Sequence, residues 1–560
     1  MATPTSGTGS IPSALTSDPN VNALLVGVKW STPLLSYSFV GSNSAISTDV
    51  ATGYGPSTDT SSEPWSPRFS FFGAAAQAAA VTALAKWTAV ANLAFTPTTE
   101  TSSNNGDIRF AFTDVGNAQA HAYSPCSVAG GDVWFSYTER NRSFADGSYD
   151  YMTLIHEIGH ALGLKHPFQA ESGNPAVLPT SLDTQSYTVM SYSAKAGDST
   201  TDFNFRPTTP MVLDIQAMQY LYGPNLAYNA GNTVYTFAQG VDYHQTIWDG
   251  GGVDTIAYGG SDACVIDLRP GAGSTLGNPV YVVNSVGARL STVSNVWIAV
   301  GATIERAQGG SGSDTLTGSS GGNRLDGGAG NDTLTGGGGN DRIDGGTGTD
   351  TVVFSGRAGD YTFTFNAATG DYAVGDRTPG RDGTDVVSTV ETLQFSDAAL
   401  APSGLTLSAA VQGDARTIIG VSEAFFGFGP GSSQYTSSKS AIASSSASAF
   451  AINVGNSFTA TDSATLAARV LADFGISAAT LGGTIPDQSY SALYDAVTVI
   501  FDVYATARGQ VVLNIVNLLA NLATDAVYGQ VAEAFDNRLA ADASVLVGLL
   551  GTTDAGPAGI

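Results

Sequence analysis

Charge is scarce in this chain: Asp, Glu, Lys and Arg make up only 12% of its 560 residues, which argues against long, salt-bridged surface helices. Bases are the scarcer sign. Lys and Arg number 22 against 48 Asp and Glu, a net charge of −26 that repels nucleic-acid phosphates and attracts cations. No nucleic acid is therefore expected as a partner. The two cysteines, Cys126 and Cys264, form no CxxC or other ligand spacing, and two buried thiols are expected rather than a disulfide. No apolar run approaches the ~20 residues of a membrane span, and residues 1–18 lack the basic start and apolar stretch of a cleavable export signal. An exported chain of this kind must leave by a route that does not read its N-terminus. Histidine is rare too, at five residues, so any clustering of it carries weight.

What is abundant is glycine, at 67 positions, which favours turn-rich β structure. At roughly 100–200 residues per domain the length predicts about three domains. Residues 1–20 read as a flexible arm. Apolar alternation predicts strands over 34–40, 107–112 and 132–137, and an Ala-rich helix over 71–95, so residues 21–240 read as one α+β domain. From about Trp248 short Thr/Ile/Val runs alternate with Gly and Asp, and residues 241–400 read as an all-β domain. The Ser/Gly-rich stretch 429–448, within 401–450, reads as a linker. Residues 451–560 read as a helical module, with helices over 464–474, 492–504, 511–522 and 531–539, the first capped by Asp462.

The segment from Ile155 to Pro167 carries the most chemistry. His156 and His160 are four residues apart, one helical turn, and so stand on the same face able to grip one ion. Glu157 beside them can reach a water on that ion as general base without being a ligand. Gly163 lets the chain leave the helix through a positive φ, and His166 can return as a third nitrogen ligand. Three neutral imidazoles leave a position open for water, and zinc lowers that water's pKa from ~15.7 towards ~7, which is peptidase chemistry. Further on stands Val189-Met190-Ser191-Tyr192, where a methionine turn is expected. Tyr192 could ligate the resting metal or donate to a tetrahedral oxyanion.

Five nonapeptides run without a gap from Gly309 to Val353 on the pattern GGxGxDxUx, that of calcium-binding β-rolls. Their glycines, Gly310 and Gly312, Gly328 and Gly330, Gly337 and Gly339, Gly346 and Gly348, permit tight turns. Their acids supply hard oxygens. Two repeats complete one turn of a parallel β-roll, so Asp314, Asp332 and Asp350 should stack on one side and Asn323 with Asp341 on the other. Leu316, Leu325, Leu334, Ile343 and Val352 point inward, and the amide of Asn323 should weaken its site.

On these motifs, with Ala91-Asn92-Leu93, Gly131 to Phe135 and Asp214 to Ala217, the chain resembles the serralysins, secreted bacterial metzincins, from about Leu24 to Leu393. The resemblance implies a multidomain protein: a metzincin-like α+β protease domain, a parallel β-roll and, beyond the family's usual end, the helical module. It makes His156, His160 and His166 the zinc ligands, Glu157 the catalytic base and Tyr192 a switchable fifth ligand and oxyanion stabiliser. It places an extended peptide substrate along an edge strand near Ala120–Tyr123, with His121 a neighbour of the cleft. It adds calcium sites at the degenerate copy holding Asp254 and at Thr303 and Glu305, and implies export by a type I secretion apparatus to the outside of a bacterium. Two features depart from the pattern: Cys126, a candidate thiolate for holding the enzyme latent, and the tail after about Leu400, a candidate anchor to a cell-surface layer. A competing reading is a calcium-dependent surface or adhesion protein whose protease domain is tethered or vestigial.

Overall fold

The computed structural model describes residues 8–44, 46–49, 54–58, 63–101, 104–125, 129–366, 369–402, 413–426, 430, 432–458, 460–473, 490–503, 505–519 and 539. The chain divides into two compact units, residues 1–311 and 312–560.

The first unit is built on a five-stranded sheet. Strands β1 (Leu34–Phe39), β2 (Ala94–Pro97), β3 (Ile108–Thr113), β4 (Ala120–Ala122) and β5 (Asp132–Ser136) lie in the order β2-β1-β3-β5-β4. All neighbours are parallel except β4, which runs antiparallel to β5 at the edge with His121 opposite Trp134. Every residue of β3 and β5 is buried, as near-continuous apolar runs in a parallel sheet require. Helix α1 (Ala74–Val90) buries Ala76, Ala80, Ala83, Leu84, Trp87 and Val90 along one face. These small residues bring it close to α2 (Tyr149–Leu162), where the Trp87 indole donates to the Ile155 carbonyl at 3.2 Å. The interior also holds a charge pair: Arg109 is wholly buried and grips Glu100 with two hydrogen bonds, Nε to Oε1 at 2.9 Å and Nη2 to Oε2 at 2.7 Å. Helix α3 (Val212–Tyr222) follows later in the chain. The unit also contains three short parallel strands, β6 (Val234–Phe237), β7 (Thr255–Tyr258) and β8 (Arg306–Gln308), with β7 in the middle.

The second unit opens with the repeats. Strands β9 (Thr315–Thr317), β11 (Thr333–Thr335) and β13 (Thr351–Val353) stack in parallel, and β10 (Arg324–Asp326) with β12 (Arg342–Asp344) form the facing column. The apolar residues pair rung by rung, Leu316 with Leu334, Leu334 with Val352, and Leu325 with Ile343, and all five are fully buried. Positive φ is required in the turns: Gly330 has φ 119°, and a Cβ on it would meet the Gly312 carbonyl oxygen at 2.0 Å. A hairpin, β14 (Tyr361–Asn366) and β15 (Asp371–Asp376), then interrupts the period. The chain returns to the roll in β16 (Thr384–Ser388), parallel to β12, and β17 (Thr392–Gln394), parallel to β13.

The linker expected over 401–450 is corrected by the structure. Helices α4 (Gly413–Phe426), α5 (Ser432–Ser444) and α6 (Ala447–Asn456) occupy most of it. Their Ile418, Ile419, Phe425, Tyr435, Ile442 and Phe450 share one apolar core with α7 (Ser463–Asp473), α8 (Tyr490–Val503) and α9 (Arg508–Leu519). Serine-rich composition misled because Ser437, Ser440 and Ser444 of α5 are exposed while Tyr435, Ser438 and Ile442, at helical spacing, turn inward. Asp462 does cap α7, accepting from the Thr465 N–H at 2.8 Å. Of the helix expected over 531–539 only Leu539 lies within the described residues. Among the described residues no helix is long and apolar enough to cross a membrane.

Candidate functional site

Helix α2 begins at Ser148, whose hydroxyl accepts from the Tyr151 N–H at 3.2 Å, and ends at Gly163 with φ 112°. A Cβ at Gly163 would approach the Val28 carbonyl oxygen to 2.6 Å, so both the turn and the space demand glycine. Leaving the helix this way brings His166 back over it. Ring nitrogens of His156, His160 and His166 come within 4.8 Å of one another.

Each of these rings is held from behind. Nδ1 of His156 donates to the Val189 carbonyl at 2.7 Å, that of His160 to the Leu164 carbonyl at 2.9 Å, and that of His166 to Gln169 Oε1 at 3.1 Å. With the proton on Nδ1, every Nε2 presents a lone pair, and those of His160 and His166 face each other at 3.0 Å. Burial depresses all three histidines, His156 to about 3, so the imidazoles stay neutral as ligands must. Facing lone pairs on neutral rings are a donor set for a cation, and three nitrogens suit zinc.

Below the rings passes the methionine turn. Met190 is fully buried, and its sulphur would lie 2.9 Å from a Cβ on Gly159, so the glycine between the two helical histidines makes room for it. Asp214 at the start of α3 anchors the turn, accepting from the Thr188 hydroxyl at 2.5 Å and from the N–H groups of Val189 at 2.7 Å and Met211 at 2.8 Å. Its burial raises the carboxyl to about 7.

Glu157 is buried, its Oε2 has no hydrogen-bond partner, and burial raises its carboxyl to about 8. An orphaned carboxylate oxygen next to three imidazole nitrogens fits a place for a cation and its water. Tyr192 is 54% exposed and donates to His166 Nε2 at 2.8 Å. Phe168 stacks on the His166 ring, 5.2 Å between centroids, and leans on Tyr192 at 5.1 Å. Cavities of about 700 and 220 Å³ open on the two sides of Glu157. The larger is lined by Tyr149, Met152 and Arg206, the smaller by Ala120–Ala122 of the edge strand and by Glu171. His121 sits there, 2.8 Å from Glu63. Cys126 lies outside the described residues, and Cys264 is buried.

In the roll the acids form two ladders. The Asp314 N–H donates to Asp332 Oδ1 at 2.7 Å and the Asp332 N–H to Asp350 Oδ1 at 2.8 Å; opposite, the Asn323 N–H donates to Asp341 Oδ1 at 2.7 Å. Each of Asp332, Asp341 and Asp350 keeps Oδ2 buried without a partner, the orphan set that oxygen-seeking cations would fill. The turn glycines pack level on level: Gly337 over the Ser319 carbonyl, Gly339 over Gly321, and Gly346 and Gly348 over the carbonyls of Gly328 and Gly330. In the first unit Gly310 lies over the Gly260 carbonyl, and the Asp254 N–H donates to Glu305 Oε2 at 2.7 Å, whereas Thr303 is exposed. Sequence reasoning missed two members. Asp385 continues one ladder, accepting from the Asp341 N–H at 2.9 Å, and Glu391 the other, accepting from the Asp350 N–H at 2.7 Å. The signal for the first was legible: Gly380 to Ser388, GRDGTDVVS, keeps the repeat's first and fourth positions as Gly, its Asp and its apolar residue.

A matrixin peptidase family model matches residues 69–174, and one for the RTX calcium-binding nonapeptide repeat matches 301–333 and 317–352. Serralysin A of Dickeya chrysanthemi is 38% identical over 267 residues, 44% of this chain and 53% of that protein. Metalloprotease AprA of Pseudomonas entomophila is 35% identical over 288 residues, 46% of this chain and 56% of its own length. Serralysin of Proteus mirabilis is 34% identical over 272 residues, 43% and 53% of the two chains. The chain thus spans about half the length of the curated relatives it matches. With a matrixin match ahead of RTX repeats and serralysins among its relatives, the chain is similar to the serralysin-type metzincins.

Proposed function

We propose that the protein is an exported zinc endopeptidase that cleaves proteins or peptides and depends on calcium for the order of its roll. The observation that carries this reading is the set of three facing, back-bonded imidazoles beside the unpartnered oxygen of Glu157. When bound by His156, His160 and His166, zinc supplies a Lewis acid and lowers the pKa of water at the site.

The chain's own groups do the rest. The edge strand β4 offers free backbone groups to which an extended substrate adds as a further strand, which sets the scissile bond beside Glu157. The Glu157 carboxylate takes the proton of the attacking water and hands it to the leaving amine. The Tyr192 hydroxyl donates to the oxyanion as it develops. Calcium is held by the ladders of Asp314, Asp332 and Asp350 and of Asn323 and Asp341, with further sites at Asp254 and at Thr303 and Glu305. Export is by a type I secretion apparatus to the outside of a bacterium, and the helical module attaches the enzyme to a cell-surface layer.

Glu157→Gln tests the reading. The variant should hold zinc stoichiometrically and lose casein hydrolysis; near wild-type hydrolysis by the zinc-loaded variant would remove Glu157 from the chemistry.

A further inference from the structure

We propose that the C-terminal end of the roll carries a calcium site closed by Asp350, Glu391 and the backbone of Thr389. The inference rests on the repeats binding calcium, and extends it to a place outside them.

Asp350 is wholly buried, and its Oδ2 has no partner. It is the last acid of its ladder within the repeats, yet its N–H is not left over: it donates to Glu391 Oε2 at 2.7 Å. Glu391 thereby takes the place that Asp350 itself takes towards Asp332 one rung earlier. The backbone continues the column as well. A Cβ on Gly327 would meet the Gly345 carbonyl oxygen at 2.5 Å, and a Cβ on Gly345 would meet that of Thr389 at 2.3 Å, so the Thr389 carbonyl follows the turn carbonyls below it. To turn the chain there Thr389 adopts φ 48°, a region a threonine seldom visits. Its hydroxyl fastens the turn, accepting from the Gly346 N–H at 2.9 Å and donating to Asp344.

The first unit repeats this arrangement. The Asp254 N–H donates to Glu305 Oε2 at 2.7 Å, Asp254 is fully buried with Oδ2 unpartnered, and Glu305 likewise stands two residues after a threonine. Two carboxylates and turn carbonyls make an all-oxygen set with at least one formally uncompensated buried acid, which calls for a hard divalent cation of calcium's size and tolerance. A proton-bearing Asp350 would satisfy burial but leave Glu391 without a reason to be acidic: its contact with the Asp350 N–H needs only an acceptor oxygen. The site would clamp β17 onto β13 and stop the roll from fraying where its period ends.

Glutamine keeps that acceptor and removes the charge, so Glu391→Gln separates a cap from a ligand. Calcium bound by the full-length chain is counted by equilibrium dialysis after chelator stripping, with far-ultraviolet circular dichroism at saturating calcium to show that the variant folds. The expected result is one calcium fewer per chain than wild type. If Glu391→Gln does not fold, Glu391→Asp decides: it should bind the full number with one site weakened about tenfold or more. Unchanged number and affinity in the variant, with a wild type that binds several ions, would overturn this site alone. A wild type that binds no calcium would overturn both it and the calcium reading of the repeats.

Discussion

The Asp214 carboxylate holds the backbone of Val189, accepting its N–H at 2.7 Å, while the Val189 carbonyl accepts from His156 Nδ1 at 2.7 Å. A buried acid 58 residues downstream of His156 thus fixes that ring through one peptide unit. Asp214→Asn leaves one or more of three donors poorly matched and should cost about 1–3 kcal/mol. The cost depends on pH. Burial raises the folded carboxyl to about 7 against an ordinary value near 3.8, so between these the folded state binds a proton that the unfolded state has lost. Stability contributed by Asp214 therefore falls as pH rises from about 4 to 7. Thermal unfolding of wild type and variant at pH 5 and 7.5 should show the wild-type advantage shrinking at the higher pH; a constant difference would mean the carboxyl is ionised throughout.

Tyr192 is the one ring at the site that is half exposed and held by a single hydrogen bond, to His166. As an oxyanion donor it is worth about 2.7–4 kcal/mol of transition-state stabilisation, or roughly 10²–10³ in kcat. Tyr192→Phe keeps the ring that Phe168 leans on. Its kcat on a small peptide should fall by that factor with KM little changed, and an unaltered kcat would assign Tyr192 to packing.

Removing calcium should unfold the roll before anything else. Each repeat buries a single apolar side chain, against a backbone entropy of ~1–2 kcal/mol per residue, and the buried acids of the ladders lose their counter-charge. Limited proteolysis of the full chain in excess chelator should cut first within residues 309–353, and calcium should protect that segment. Equal protection with and without calcium would show the roll to be stable on its own.

The helical module begins before the stretch expected as its linker ends, so truncation has a correct and an incorrect place. A chain ending at residue 448 keeps α4 and α5 but loses Leu466, Val470, Phe501 and Val512, which cover Ile418 and Phe425 in one core. It should aggregate, whereas a chain ending at residue 402 should stay soluble and hydrolyse a small peptide at the wild-type rate. Static light scattering and a peptide assay on both separate these outcomes; loss of peptide hydrolysis at 402 would make the module part of the enzyme.

The sequence alone determined what short-range geometry dictates. His156, Glu157, His160, Gly163 and His166 lie within eleven residues, and helical periodicity with one glycine turn fixes their relation before any tertiary contact forms. The five uninterrupted nonapeptides are legible for the same reason, each rung being set by its neighbour two repeats away. Composition failed where amphipathic placement mattered more than average polarity, as in α5, where Ser437, Ser440 and Ser444 are exposed while Tyr435 and Ile442 are buried. Only the tertiary structure decided that Asp214 orients His156 through Val189, that Glu100 meets the buried Arg109, and that Glu391 reaches Asp350 across 41 residues. Those contacts depend on where the chain returns after a loop or hairpin, and no local period records the return: the β14–β15 insertion shifts the register of the repeat, while backbone pairing of β16 and β17 with the roll restores it in space.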